Sequence, residues 1–353
     1  MDIDGLVVRS VKQNASDLHL CTGYPPMLRI DGELCRCEDL PVIDAPLMQA
    51  LCGQWLDDAQ QAVLQQAGQV DKALTLGEGV RMRLNVFRQW HGLSAALRPI
   101  PARCPELASL LAPDILQHII MQEDGLILVT GATGSGKSTT LAALIDHLNR
   151  HSARHIITLE DPIELIHVSE RCLIQQRELG LHTRSFGEAV RGALREDPDV
   201  LLLGELRDTE SIRLALTAAE TGHLVLATLH TRNATQAIDR LVDVFPAEEK
   251  AFVRAQLAGS LRAVVAQKLA VAVAEAGEGK KAGRVALFEV LTSTPAVCNL
   301  IREGKTHQLT DILQTGAQAG MQTFAQSRQQ RQSAGLRVRE LADSTVSRTS
   351  FPE

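Results

Sequence analysis

Nine consecutive residues, Gly131-Ala132-Thr133-Gly134-Ser135-Gly136-Lys137-Ser138-Thr139, carry the strongest chemical signal in the chain. They satisfy the spacing G-x-x-x-x-G-K-[ST] at every fixed position. Glycines at those places let backbone N–H groups converge on an anion with no side chain in the way. Lys137 is placed for the β- and γ-phosphates of a nucleoside triphosphate, and the Ser138 hydroxyl for Mg²⁺. Three further clusters have matching chemistry. Glu160-Asp161-Pro162-Ile163-Glu164 sets three carboxylates together, enough to activate water and to hold a metal-bound water. Val200-Leu201-Leu202-Leu203 delivers Glu205, with Gly204 where many nucleotide hydrolases carry Asp. Glu205 reads as a Mg²⁺ ligand through water, or as the group that polarises the attacking water. His223 and His230 bracket a third apolar run. On a strand their odd spacing sends them to opposite faces, so they do not share a metal. His230 is placed to sense a γ-phosphate or to meet a neighbouring subunit. His223 stays open between a structural and a functional role.

These residues need elements to position them. Leu126–Thr130 is a buried strand before the glycine-rich turn, and Leu141, Leu144, Ile145 and Leu148 recur at helical spacing after it. The helix presents its N-terminus to the bound anion. Short apolar runs at Ile156–Leu159, Val200–Leu203 and Leu224–Leu229 each end in polar residues, as in a parallel α/β sheet whose ligand contacts lie past the strand ends. Helices are expected over 234–244 and 248–269, an exposed loop over Ala274–Gly283, and a strand over Val285–Val290. A helical C-terminal part covers about 295–335. The basic residues Arg328, Arg331, Arg337 and Arg339 read as a solvated helix face, and 341–353 as a disordered tail. Ahead of this lies a different pattern. A helix over 3–13, strands near Ser16–Leu20, Met27–Ile30 and Glu33–Arg36, a helical stretch over 44–67 and strands at Val70–Leu76, Val80–Phe87 and Leu93–Leu97 describe an α+β domain. Asp31-Gly32 and Gly77-Glu78-Gly79 are its turns. Pro99, Pro101 and Pro105 stiffen the connection between the halves. The expected organisation is residues 1–100, a linker at 101–113, and 114–340.

At 353 residues, two domains are expected. A net charge of −6 shows no basic excess of the kind a nucleic-acid motor carries, so no nucleic-acid partner is expected. No apolar run approaches a membrane span and the N-terminus lacks a signal core, which places the protein in the cytoplasm. The seven cysteines include no C-x-x-C pair, so no zinc and no disulfide framework is expected. Cys35 and Cys37 read as same-face residues of one strand.

Taken together, GATGSGKST, TLEDPIE, DPDVLLLGELRD and TGHLVLATLHT resemble, in order, the Walker A, aspartate, Walker B and histidine boxes of the secretion ATPases of type IV pili and type II secretion. The likeness runs from Ser16-Asp17-Leu18-His19-Leu20 to about residue 325 and is greatest to the PilT-type retraction ATPases. Asn299–Gly304 resembles a segment characteristic of that group, with Val297-Cys298 where the group carries Ile-Arg. The resemblance implies a PAS-like N-terminal domain, a RecA-like ATPase domain and a homo-hexamer. It implies ATP and Mg²⁺, and peripheral work at the inner membrane with a pilus platform protein and the pilin machinery. It makes Glu164 the water-activating carboxylate and Glu205 the Walker B carboxylate. Arg83 and Arg98, from Arg81–Asn85 and Leu97–Pro101, become the arginines brought to the nucleotide. Retraction is the leading expectation, because assembly ATPases often carry a paired C-x-x-C insertion that this chain lacks. A type II secretion or assembly ATPase, a low-turnover nucleotide switch and a nucleic-acid translocase are the competing classes.

Overall fold

The computed structural model describes residues 2–30, 32–77, 79–100, 104–273 and 283–340. Asp31, Glu78, most of the expected 274–283 loop, the 101–103 part of the linker and the 341–353 tail lie outside the described residues. The chain divides into two compact units, Met1–Arg103 with Pro162–Ile166, and Cys104–Asp161 with His167–Glu353.

In the first unit the order is α1 (Ile3–Lys12), β1 (Asp17–Cys21), β2 (Met27–Ile30), β3 (Glu33–Arg36), α2 (Ala45–Trp55), α3 (Asp58–Ala67), β4 (Gln69–Leu76), β5 (Val80–Gln89) and β6 (Gly92–Pro99). The sheet runs β3-β2-β1-β6-β5-β4 with antiparallel pairs throughout. One face buries Leu18, Leu20, Leu84, Val86 and Leu97 against Leu6, Val7, Met48 and Leu51 of the helices. The expected helix over 44–67 is two helices. Leu56 is extended, and Asp57 caps α3 in a reciprocal box with Gln60, so a new N-terminus starts there. Cys35 and Cys37 do not share a face. β3 ends at Arg36, and Cys37 turns inward, buried, with its N–H donating to Pro26 O at 2.9 Å.

In the second unit the order is α4 (Ile115–Ile120), β7 (Gly125–Thr130), α5 (Lys137–His151), β8 (His155–Glu160), β9 (Leu173–Glu178), α6 (Phe186–Ala193), β10 (Val200–Leu203), α7 (Thr209–Glu220), β11 (Leu224–Leu229), α8 (Ala234–Asp243), α9 (Lys250–Ser260), β12 (Leu261–Val273), β13 (Gly283–Thr292), α10 (Pro295–Glu303), α11 (Leu309–Thr315), α12 (Phe324–Ser333) and β14 (Arg337–Glu340), with two short 3-10 turns flanking α11. The sheet order is β13-β12-β7-β11-β10-β8-β9, with β14 on β12. From β12 to β9 all pairs are parallel, and β13 and β14 are antiparallel additions. Both faces are covered. Leu126 and Leu128 of β7 enter the core made with α6, α7, α8 and α9, while Ile127 and Val129 enter the one made with α4 and α5. A strand buried on both faces needs no polar alternation, which is why β7, β10 and β11 read as unbroken apolar runs.

Two expectations fail here. The helix expected over 248–269 stops at Ser260, and Leu261–Val273 is a strand paired directly with the phosphate-loop strand β7. Its run of Ala, Val and Leu suits either state. Tertiary pairing decides, because β7 otherwise presents an open edge. The solvated basic face also fails at Arg331, which is only 8% exposed and donates to the carbonyls of Ala286 and Leu111. Arg337 lies in β14, not in a helix.

Candidate active site

The glycine-rich loop closes over the end of β7 as its spacing requires. Gly131, Gly134 and Gly136 have φ of 153°, 77° and 90°. A Cβ on Gly131 would collide with Gln267 O, and one on Gly136 would lie 2.8 Å from Gln267 Nε2. Only glycine fits both positions. α5 starts at Lys137 with no side-chain cap, so the N–H groups of its first turn remain available to an anion. Lys137 is 8% exposed, and its ammonium donates to the carbonyls of Gly131 at 2.7 Å and Ala132 at 3.1 Å. The buried Ser135 hydroxyl has no hydrogen-bond partner among the described residues. Such a cradle, with an enclosed cation, an uncapped 15-residue helix and an unpartnered hydroxyl, fits phosphate groups. Ser138 is exposed beside it, where its hydroxyl can reach a metal.

Glu205 and His230 come from neighbouring strands and converge on this loop. His230 Nε2 lies 3.2 Å from Glu205 Oε1, and His230 Nδ1 lies 3.5 Å from Lys137 Nζ. Thr130, at the end of β7, ties that strand to the end of β11. Its hydroxyl accepts from the Thr231 N–H at 3.0 Å and donates to Thr231 O at 2.8 Å. Glu205 is fixed similarly. Thr228 Oγ1 donates to Gly204 O, Gly204 N–H to Leu159 O at 2.8 Å, and Leu206 N–H to Thr228 O at 3.1 Å. A side chain at 204 would start 3.1 Å from Leu159 O, a physical reason for glycine in place of the usual Asp. The second Glu205 oxygen takes a 2.8 Å bond from Arg207 Nε, which raises the Arg207 pKa further. Arg207 Nη1 also stands 3.6 Å from Asp161. Arg213 is engaged elsewhere, with Glu249 and over the Phe245 ring. His223 turns back onto the last turn of α7, its Nδ1 3.1 Å from Ala218 O, and takes no part in this cluster. Glu160 accepts from Thr158 at 2.7 Å and Gln176 at 3.0 Å.

The remaining candidates group in the first unit. Arg83 Nη1 lies 3.5 Å from Glu164 Oε1, and Arg81 donates to Ile163 O at 3.5 Å, so the aspartate-box carboxylate packs with the arginines of β5. Arg98 sits on Asp17, with Nε at 2.9 Å and Nη2 at 2.8 Å. Among the described residues no three His, Cys, Asp or Glu side chains gather as a metal site. Gln267 was not singled out by sequence. It is buried, accepts from Thr140 at 2.7 Å, and backs two of the three loop glycines. The polar pair Gln267-Lys268, which interrupts the Ala/Val/Leu-rich stretch 261–273, was the available signal.

An anion cradle at the end of a parallel sheet, with a carboxylate and an imidazole beside the lysine, defines a P-loop nucleotide hydrolase. Residues 2–343 match the family described as type II/IV secretion system protein, and the chain belongs to that family as a PilT-type secretion ATPase. It is 59% identical to the uncharacterised YggR protein of Escherichia coli, over 95% of this chain and 99% of that one. It is 48% identical to the type IV pilus retraction ATPase PilT of Pseudomonas aeruginosa, over 92% of each. The crystal structure of the pilus retraction motor PilT with bound ADP superposes with a TM-score of 0.86 at 40% identity, covering 96% of this chain and 94% of that one. Among the described residues no helix is long and apolar enough to cross a membrane.

Proposed function

We propose that this chain is the ATP-driven motor of a type IV pilus system and that it powers retraction by disassembling pilin at the inner membrane. The observation that carries this reading is the cluster of Lys137, Glu205 and His230 at one sheet end, joined to likeness with a retraction ATPase over nearly the full length of both chains. A nucleotide switch has no need of a carboxylate held between Arg207 and His230 beside the phosphate lysine. An assembly ATPase is disfavoured by the missing C-x-x-C insertion.

In this reading the first unit is PAS-like, the second RecA-like, and 101–113 the linker between domains 1–100 and 114–340. Six copies form a ring on the cytoplasmic side of the membrane, docked on a platform protein. Lys137 and the first-turn N–H groups of α5 hold the phosphates, while Ser138, and Glu205 through water, hold Mg²⁺. Bound there, Mg²⁺ would supply neutralisation of the charge that develops on the phosphates. Glu164 takes the proton of the attacking water, and Arg83 and Arg98 of a neighbouring copy stabilise the transferred phosphoryl group. Zinc has no part. Deleting the gene and imaging surface pili tests the reading. Extra pili are expected, and bald cells would assign assembly instead.

A further inference from the structure

The geometry points to a second anion site in this chain, a cleft between the segment Leu111–Ile115 and α12 that takes a small molecule through its phosphate or carboxylate group. The cleft holds about 530 Å³, within the range of small-ligand sites, and lies wholly in the second unit. Among the described residues that line it, the one cation is Arg331, 8% exposed. Arg331 has no carboxylate partner among the described residues. Nε lies 3.4 Å and Nη2 3.3 Å from Ala286 O, and Nη2 also donates to Leu111 O. Nη1 makes no hydrogen bond among the described residues, which leaves two of the five guanidinium donors for a ligand.

A buried guanidinium facing only neutral carbonyls gains from a bidentate oxyanion. Burial pulls its pKa down, and Asp114 on the cleft rim makes no ion pair with it among the described residues. The wall beside it is made of amides. Gln322 is spent on Phe288 O, and the Gln326 oxygen is spent on capping α12. The Gln326 amide N–H₂ and the whole Gln330 amide have no partner among the described residues, and both residues line the cleft. They stand one helical turn apart on α12, next to Arg331 in the chain, as donors for the remaining oxygens. Leu111 adds a second feature. It holds a left-handed φ of 52°, uncommon for leucine, and aims its carbonyl at the guanidinium. A ligand on Arg331 therefore also touches the strained turn that precedes α4.

The test uses full-length Lys137→Ala protein, which weakens the hold of the phosphate loop on anions by removing its enclosed cation. Inorganic phosphate, and separately acetate, is titrated at constant ionic strength while the unfolding temperature is followed. A saturable rise with phosphate assigns a phosphoryl ligand, and one with acetate a carboxylate. Adding Gln326→Ala with Gln330→Ala keeps Arg331 and removes both amides, together with the Gln326 half of the α12 capping box, and should weaken the apparent affinity about tenfold or more. Arg331→Lys keeps the charge but loses the fork, and should weaken it likewise. No saturable rise with either anion overturns the site. So does an unchanged affinity in the glutamine double variant.

Discussion

In the proposed mechanism Lys137 serves binding and Glu205 chemistry, and each loss has its own signature. Lys137→Ala removes the enclosed cation that the loop holds with two carbonyls, so tight ATP binding should be abolished in a filter or fluorescence assay. Glu205→Gln keeps the shape and removes the charge. It should bind ATP and turn over at least about a hundredfold more slowly, the usual cost of losing one preorganised electrostatic contribution to the transition state. Wild-type turnover in Glu205→Gln would refute the assignment. Gln267 works through packing. Gln267→Leu strands the buried Thr140 hydroxyl and removes the amide behind Gly136. A loss of about 1–3 kcal/mol in denaturant unfolding is expected, the usual cost of an orphaned buried polar group.

At the scale of elements, the passage from β8 to β9 carries a pH dependence. His167 is half-buried there, 3.5 Å from the Cys104 thiol, and desolvation lowers its pKa from 6.5 to about 4. The unfolded chain therefore binds a proton that the folded one refuses between those values. Stability is full above the unfolded pKa of 6.5 and falls as pH drops toward 4, with no further contribution below. The shift corresponds to about 3 kcal/mol at most. Replacing the ring by a neutral amide, His167→Gln, should flatten this part of the acid limb in urea titrations across that range. An unaltered slope would show that His167 does not set it. The same passage divides the aspartate box. Glu160 and Asp161 stay with the sheet, while Glu164 joins β5, so one motif serves two bodies.

For the whole molecule, the question is where the arginines act. Arg98 rests on Asp17 of its own sheet and Arg83 on Glu164, so both are held by carboxylates within the first unit. An exposed pair of this kind contributes little stability and is readily exchanged for a stronger anion. That suits the proposal that both arginines are delivered to a neighbour's nucleotide. Subunit mixing tests it. Arg98→Ala chains keep an intact phosphate loop and Lys137→Ala chains keep both arginines. Mixed rings should recover part of the activity that neither variant shows alone. If mixed rings form and recover nothing, while dilute single chains hydrolyse at the full rate, the shared-site reading fails.

The phosphate loop, its strand and its helix were legible without coordinates, because anion binding by backbone needs glycines at fixed spacing and a lysine at their end. Glu205 and the three parallel strands behind it were legible for a related reason, since a doubly buried strand must be apolar and its first polar residue marks the ligand edge. Strand β12 was not legible. Leu261–Val273 is as apolar as a buried helix, and only pairing with β7 selects the extended state. Arg331 looked like a surface charge because its neighbours in sequence are polar. Its burial depends on Ala286 and Leu111, far away along the chain. His230, Glu205 and Lys137 could each be named from local pattern. That they meet, while Arg98 turns to Asp17 and Glu164 to Arg83, follows from strand order and from which unit each segment packs with. Long-range contacts of that kind leave no local trace in sequence, because they depend on which distant surfaces are left for each side chain to bury against.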